Sequence, residues 1–531
     1  MHNNSHGFYR DFSSSKLWRP PIKKGPTTSL TIFLFLFLLV AVWIASSWIN
    51  SSVVVVTENQ TKSHHHHRVI VTKQILTNEA PKKKKRVHQF PLNCSSSNAT
   101  QTCSSNYPTK INNVHELVFH NNVTCPEYFR WIHQDLRPFK ASGITREMVE
   151  RAKKTAHFRL VIKKGKAYVE SYKKSIQTRD AFTLWGILQL LRRYPGMLPD
   201  LELMFDCNDR PVVHRRDYRG PNATAPPPVF RYCGDPWTLD IVFPDWSFWG
   251  WAEINIRPWD KMLKEIKRGN KKIKWVDREP YAYWKGNPYV AETRQDLLKC
   301  NVSQQQDWNA RLFIQDWVRE YEQGYKHSSV ADQCTYRYKI YIEGYAWSVS
   351  EKYILGCNSP TLLVNTKFHD FFLRSLQPLK HYWPVKQEDK CKSIKFAVDW
   401  GNSHQQKAQE IGRAASEFVQ NDLKMEFIYD YMFHLMNEYA KLLKYEPEIP
   451  ENAVELCAEK MVCHAEDGPG KRFMIESLVK SPSERSPCGL PPPYGVRDLG
   501  AVIREKANSF SQVDTWEKNL YENFTMAAAR K

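Results

Sequence analysis

No Asp-x-Asp occurs anywhere in this chain of 531 residues, so the carboxylate pair by which metal-dependent sugar-nucleotide enzymes bridge a cation to a diphosphate is missing. No G-x-x-x-x-G-K-[ST] and no G-x-S-x-G is present either, which removes P-loop phosphoryl transfer and the nucleophile-elbow hydrolases. The 12 cysteines include no C-x-x-C and no Cys/His cluster at metal-ligand spacing, so no metal site is indicated. Nucleic acid is not indicated. Residues 1–124 hold 14 Lys+Arg against 4 Asp+Glu, half of the net charge of +20, and the basic run at 82–86 reads as a solvated stretch of stalk.

What is present begins with residues 31–49, nineteen residues without a charge. At about 1.5 Å of rise per residue they span roughly the 30 Å hydrocarbon core of a bilayer. Arg10, Lys16, Arg19, Lys23 and Lys24 precede the segment with only Asp11 against them, which leaves the N-terminus in the cytoplasm and the rest of the chain in a lumen. All the cysteines follow the span, so they read as structural disulfides of an oxidising compartment. The expected order is a cytoplasmic tail at 1–30, a signal-anchor at 31–49, a disordered luminal stem at 50–124, a catalytic domain at 125–505 and a C-terminal tail at 506–531. The stem assignment rests on a His run at 64–67, the basic run and a Ser/Asn/Thr-rich stretch, with no sustained apolar period.

From Cys125 onward, helical and strand-like periods alternate. Residues 158–162 and 167–170 flank Lys-Lys-Gly-Lys and read as a hairpin, and 180–194 as an amphipathic helix capped by Asp180. The apolar strand 201–205 then runs into Asp206 and Asp209. A second unit places a buried strand from Tyr336, a turn at Glu343-Gly344, a helix at 349–356 capped by Ser348, and a strand at 361–364. Two long helices follow, at 403–423 and 425–445. Two α/β units about 130 residues apart imply two Rossmann-like lobes with a cleft between them.

Four groups of residues could carry chemistry. Asp206 and Asp209, with Pro211, end a strand where α/β sheets place their ligands, so either could be a general base; turn chemistry accounts for Asn-Asp-x-Pro equally well. The tract 243–251, FPDWSFWGW, could stack on sugar or base, or fill a core. Lys285, Asn287 and Arg294 suit a diphosphate, or are solvated polar groups. Residues 344–350, Gly344 to Ser350 by way of Tyr345, Ala346, Trp347, Ser348 and Val349, open a helix whose N-terminus could favour a phosphate.

In order along residues 125–445, the blocks LPDLELMFDCNDRP, FPDWSFWGW, AYWKGN with ETRQD, and CTYRYKIYIEGYAWSVSEKYILGCNSPTLLV resemble the Rumi-type protein O-glucosyltransferases and the capsule-associated xylosyltransferases. The long stem and signal-anchor resemble plant members. The resemblance implies a GT-B fold, an inverting mechanism, a UDP-glucose or UDP-xylose donor, a protein or glycan hydroxyl as acceptor, and no cofactor or obligatory metal. It makes Asp209 the catalytic base and puts Trp246, Phe248 and Trp249 beside donor and acceptor. Lys285, Asn287, Arg294 and the 344–350 turn fall on the donor diphosphate, and Cys334 and Cys357 form a bridge. Ser350 stands where relatives place an arginine, which shifts the expected charge onto Lys285, Arg294 or Lys352. The chain ends AAARK, unlike the KDEL-type ending of relatives kept in the endoplasmic reticulum, so a Golgi membrane is the first expectation and the endoplasmic reticulum the second. The competing expectation is a lectin-like or scaffolding Golgi protein that kept the fold and lost turnover.

Overall fold

A computed structural model describes residues 90–94, 103, 123–220 and 223–529. The expected cytoplasmic tail, anchor and most of the stem lie outside the described residues. Among the described residues no helix is long and apolar enough to cross a membrane.

The first sheet grows from a tight hairpin. Strands β1 (Phe158–Lys163) and β2 (Lys166–Ser171) pair antiparallel across Lys164 and Gly165, both at positive φ (51° and 75°), the two-residue geometry that matches strand twist. β3 (Leu201–Phe205) pairs antiparallel with β1 and parallel with β4 (Val229–Arg231), which pairs parallel with β5 (Ile241–Val242). β11 (Val454–Leu456) closes the other edge, giving the order β11-β2-β1-β3-β4-β5. This half is therefore a mixed sheet, with the expected hairpin antiparallel at one edge and β3, β4 and β5 parallel at the other. Two residues suffice to reverse a strand, whereas a parallel neighbour needs a crossover.

The second sheet is wholly parallel. Strands β6 (Glu279–Gly286), β7 (Ala310–Ile314), β8 (Tyr336–Tyr341), β9 (Thr361–Val364) and β10 (Trp383–Val385) lie in the order β10-β9-β8-β6-β7. β8, the short helix Glu351–Leu355 and β9 form the expected βαβ unit, bracketed by a Cys334–Cys357 disulfide. Ser348 does not cap that helix: Ser350 occupies the cap position without a side-chain bond.

One apolar cluster joins the first sheet to the helices Arg179–Arg193 and Met425–Ala440 through Phe182, Leu190, Ile428 and Met432. A second lies against the parallel sheet, where Ile394 and Val398 of the helix Lys390–Ser403 pack. The helices expected at 403–423 and 425–445 are Gln405–Asn421 and Met425–Ala440. Asp180 is not a cap but the second residue of its helix, which Thr178 precedes at the cap position.

Both ends of the expected catalytic domain extend further than the composition implied. Cys94 is bridged to Cys463 and Cys103 to Cys457, so part of the segment read as stem is fastened to the domain. The stretch read as a C-terminal tail belongs to the helix Val496–Ala529. Val513, Trp516 and Leu520 share one face of it, and Trp516 stacks on Trp383 and Trp400 at 6.1 and 5.9 Å.

Candidate active site

Beyond β3 the chain turns out through Asp206, Cys207, Asn208 and Asp209, and three carboxylates compete for the role of base. Asp206 is 1% exposed, with Arg231 Nη2 at 2.6 Å and His157 Nδ1 at 3.1 Å. Burial pushes its pKa up, but His157 and Arg231 outweigh burial and hold it below the usual range. Asp240 is buried and accepts the N–H groups of Val212 and Val213, each at 3.0 Å, and burial raises it to about 6. Both carboxylates are spent anchoring the loop. Asp209 keeps 22% of its side chain exposed and accepts one bond, from Arg179 Nη1 to Oδ1 at 2.7 Å.

Arg179 escaped the reading of the sequence. It is the first residue of the helix Arg179–Arg193, where the macrodipole disfavours a cation, and that misplaced charge was the available signal. The guanidinium is buried, 4.5 Å over the ring of Trp246.

The next residue joins the two sheets. Arg210 donates from Nε to the carbonyl of Tyr345 at 3.1 Å and lies 3.9 Å over the Tyr345 ring. Tyr345 belongs to the turn after β8, which Arg294 holds from the other side. Nε of Arg294 donates to the Glu343 carbonyl at 2.8 Å, Nη1 to the Asn287 carbonyl at 3.3 Å, and Nη2 to the Ile342 carbonyl at 3.1 Å and to Ser348 Oγ at 3.0 Å. Burial lowers its pKa to about 10. Asn287, Arg294 and Gly344 to Ser348 thus come together, and the Asp209 loop reaches the same turn. Ser350 is tied to Ser348, Oγ to Oγ at 2.8 Å.

The remaining expectations fare differently. Trp246, Phe248 and Trp249 are buried, and Trp249 donates to the Tyr429 hydroxyl at 3.0 Å. They shape the site from beneath and offer no open stacking wall. Lys352 is buried in an ion pair with Asp245 at 2.9 Å and lies 4.6 Å over Phe248. Lys285 donates to the His327 carbonyl at 2.6 Å and pairs with Glu320 at 3.5 Å. It lies on a separate hollow of about 420 Å³ with Tyr283, Phe313 and Arg319. None of the three cations expected to replace the missing arginine is free. The helix Glu351–Leu355 has five residues, so it adds little dipole.

A partly exposed carboxylate at a strand end, braced by arginine on a loop whose next residue reaches the turn after β8, is a frame suited to acid–base group transfer. The sequence profile of glycosyl transferase family 90 matches residues 120–517, and the chain belongs to that family. It is similar to an O-glucosyltransferase rumi homolog of Anopheles gambiae, 26% identical over 352 residues that cover 63% of this chain and 84% of the relative. Protein O-glucosyltransferase 1 of Bos taurus and of Homo sapiens are each 28% identical over 345 residues, 61% of this chain and 82% of the relative.

Proposed function

We propose that the protein is an inverting O-glycosyltransferase that moves glucose or xylose from a UDP-sugar to a hydroxyl of a secretory-pathway protein or glycan. The carrying observation is that Asp209, alone among Asp206, Asp209 and Asp240, is open to solvent. Its free oxygen takes the proton of the acceptor hydroxyl while that oxygen bonds to the anomeric carbon and the bond to UDP breaks. Arg179 fixes the carboxylate for that transfer. Arg210 supplies charge for the diphosphate, since its terminal nitrogens make no hydrogen bond among the described residues. Arg294 contributes by holding the 344–350 turn against it. The two sheets are taken as the two lobes of a GT-B enzyme, and neither a cofactor nor a metal enters this chemistry.

Glucose is favoured as donor sugar because the relatives are named O-glucosyltransferases; xylose rests on the resemblance alone. Five disulfides need an oxidising compartment, which supports a luminal domain anchored by residues 31–49 in the Golgi or endoplasmic reticulum. The full-length protein in detergent should release UDP from UDP-glucose or UDP-xylose in preference to other UDP-sugars. Inertness toward the whole panel would sink the reading and leave a sugar-binding protein without turnover.

A further inference from the structure

The run His-Arg-Arg-Asp-Tyr-Arg at 214–219 carried no weight in the reading of the sequence and has no part in the chemistry above. In the structure His214, Arg215, Arg216, Arg219 and Trp237 line a hollow of about 240 Å³. Two backbone contacts build it: Arg215 N–H donates to the Trp237 carbonyl at 2.8 Å, and His214 bridges Thr238. Behind them Asp240 clamps Val212 and Val213. The floor of the hollow is therefore the same loop that carries Asp209. His214 is five steps along the chain from Asp209, at most about 17 Å of extended chain.

The charges in this hollow are only partly balanced by the described residues, Arg215 Nη2 donating to the Thr238 carbonyl at 3.4 Å. Arg216 pairs with Asp217 at 3.5 Å, both well exposed, a weak surface contact. The Asp235 carboxylate accepts the Trp237 N–H at 2.7 Å. Arg219 has no ion pair or hydrogen bond among the described residues, and Nε of Arg215 is buried without a partner. Partial burial, and then the like charges of Arg137 and Arg219, outweigh the opposing charge of Asp235 and hold the Arg215 guanidinium below the usual arginine range. Unbalanced arginines are a standing cost that an anion relieves. Beside them the Trp237 side chain is 68% exposed, an unusual position for an indole that no neighbour covers.

Arginine forks match a carboxylate or sulfate bidentately, and an open indole face matches the apolar face of a sugar ring. We propose that this hollow is an acceptor subsite for a saccharide unit carrying an anionic substituent, with the ring on Trp237 and the anion on Arg215 and Arg219. The inference rests on the transferase reading, because it is the Asp209 loop that makes the hollow part of an acceptor path. Residues 209–219 then do two things in series: Asp209 activates the hydroxyl, and the arginines select a negatively charged chain to present it.

The test uses the full-length protein in detergent and calorimetric titration with trigalacturonate, its methyl ester and inorganic sulfate. Trigalacturonate should bind saturably, with affinity falling as salt rises, and its methyl ester at least tenfold more weakly. Arg219→Glu and Trp237→Ala, both substitutions of exposed side chains, should each weaken trigalacturonate binding by about tenfold or more. Absence of saturable binding, or binding indifferent to both variants, would overturn the proposal. Sulfate binding as tight as trigalacturonate and unmoved by Trp237→Ala would overturn it too, by making this a free-anion site. UDP release by the same wild-type protein decides the transferase reading separately. Binding without UDP release leaves the pocket standing and removes that reading, and release without binding does the reverse.

Discussion

A carboxylate and a guanidinium that were given parallel roles in the sequence turn out to differ in what they have left to offer. Asp209 makes one side-chain bond and faces solvent, whereas four donor contacts of Arg294 are already taken by the chain itself. Asp209→Asn keeps the shape and loses the proton acceptor, so kcat should fall by about 10² to 10⁴ with the donor Kd little changed. Arg294→Lys keeps the charge and loses the fork. It should raise the donor KM and also lower the unfolding temperature, because buried carbonyls of Ile342 and Glu343 lose their partner. A normal turnover in the first variant, or an unchanged melting temperature in the second, would reverse these assignments. The loop after β3 was legible because an apolar strand running into an aspartate-rich turn with a nearby proline is a local pattern. The fate of the cations was not, since Lys352 finds Asp245 across 107 positions of sequence, a distance over which no periodicity speaks.

Among the elements, the β8–helix–β9 unit was the most readable, because continuous apolar runs and a glycine turn are enough to mark a buried parallel strand and its crossover. The helix Lys390–Ser403 was missed; its apolar Ile394, Phe396, Ala397 and Val398 crowd into one short run broken only by Lys395, which shows no 3.6-residue stripe until the sheet supplies a partner. The same unit holds a group of acids that sequence could not reveal. Burial pushes Glu343 up to about 7 and raises Glu351 and Asp370 as well. A carboxyl raised on folding binds its proton more tightly in the native state. Its stabilisation is complete below the unfolded value near 4 and is lost as the pH rises from there through about 7. The half-buried His369 and His381, lowered by desolvation, act in the opposite sense at acid pH, so the total profile mixes both signs. Asp370→Asn isolates one of them. Its Oδ1 accepts the N–H groups of Phe372 and Leu373 at 3.0 and 2.9 Å, bonds an amide oxygen can reproduce. The variant should gain thermal stability over the wild type at pH 8 and lose that advantage at pH 4. Melting curves that keep a constant separation across this range would show that Asp370 is not held protonated.

At the scale of the whole molecule, composition marked residues 50–124 as free stem, whereas Cys94 and Cys103 within that stretch are bridged to the domain. Cys94–Cys463, Cys103–Cys457 and Cys125–Cys488 join partners 369, 354 and 363 positions apart. Spacing could not have paired them, because the pairing follows from how β11 and the helices after it return to the hairpin edge. Cys103–Cys457 is nested inside Cys94–Cys463, whereas Cys125–Cys488 crosses both. Any one of them alone closes a loop of more than 350 residues, worth about 6 kcal/mol in the loop-entropy account. With Cys103–Cys457 in place, however, Cys94–Cys463 closes only the short path through 94–103 and 457–463, about 15 residues and therefore about 3 kcal/mol. Replacing Cys94 and Cys463 by serine should accordingly cost about 3 kcal/mol in the wild type. The same replacement should cost about twice as much in a protein that already lacks the other two bridges. Denaturant unfolding of the four proteins measures both steps, and equal costs would mean that the bridges act independently. Since Cys94 and Cys103 are thereby fastened to Cys463 and Cys457, a protein cut at residue 120 would leave Cys457 and Cys463 unpaired, and activity measurements belong on the full-length chain.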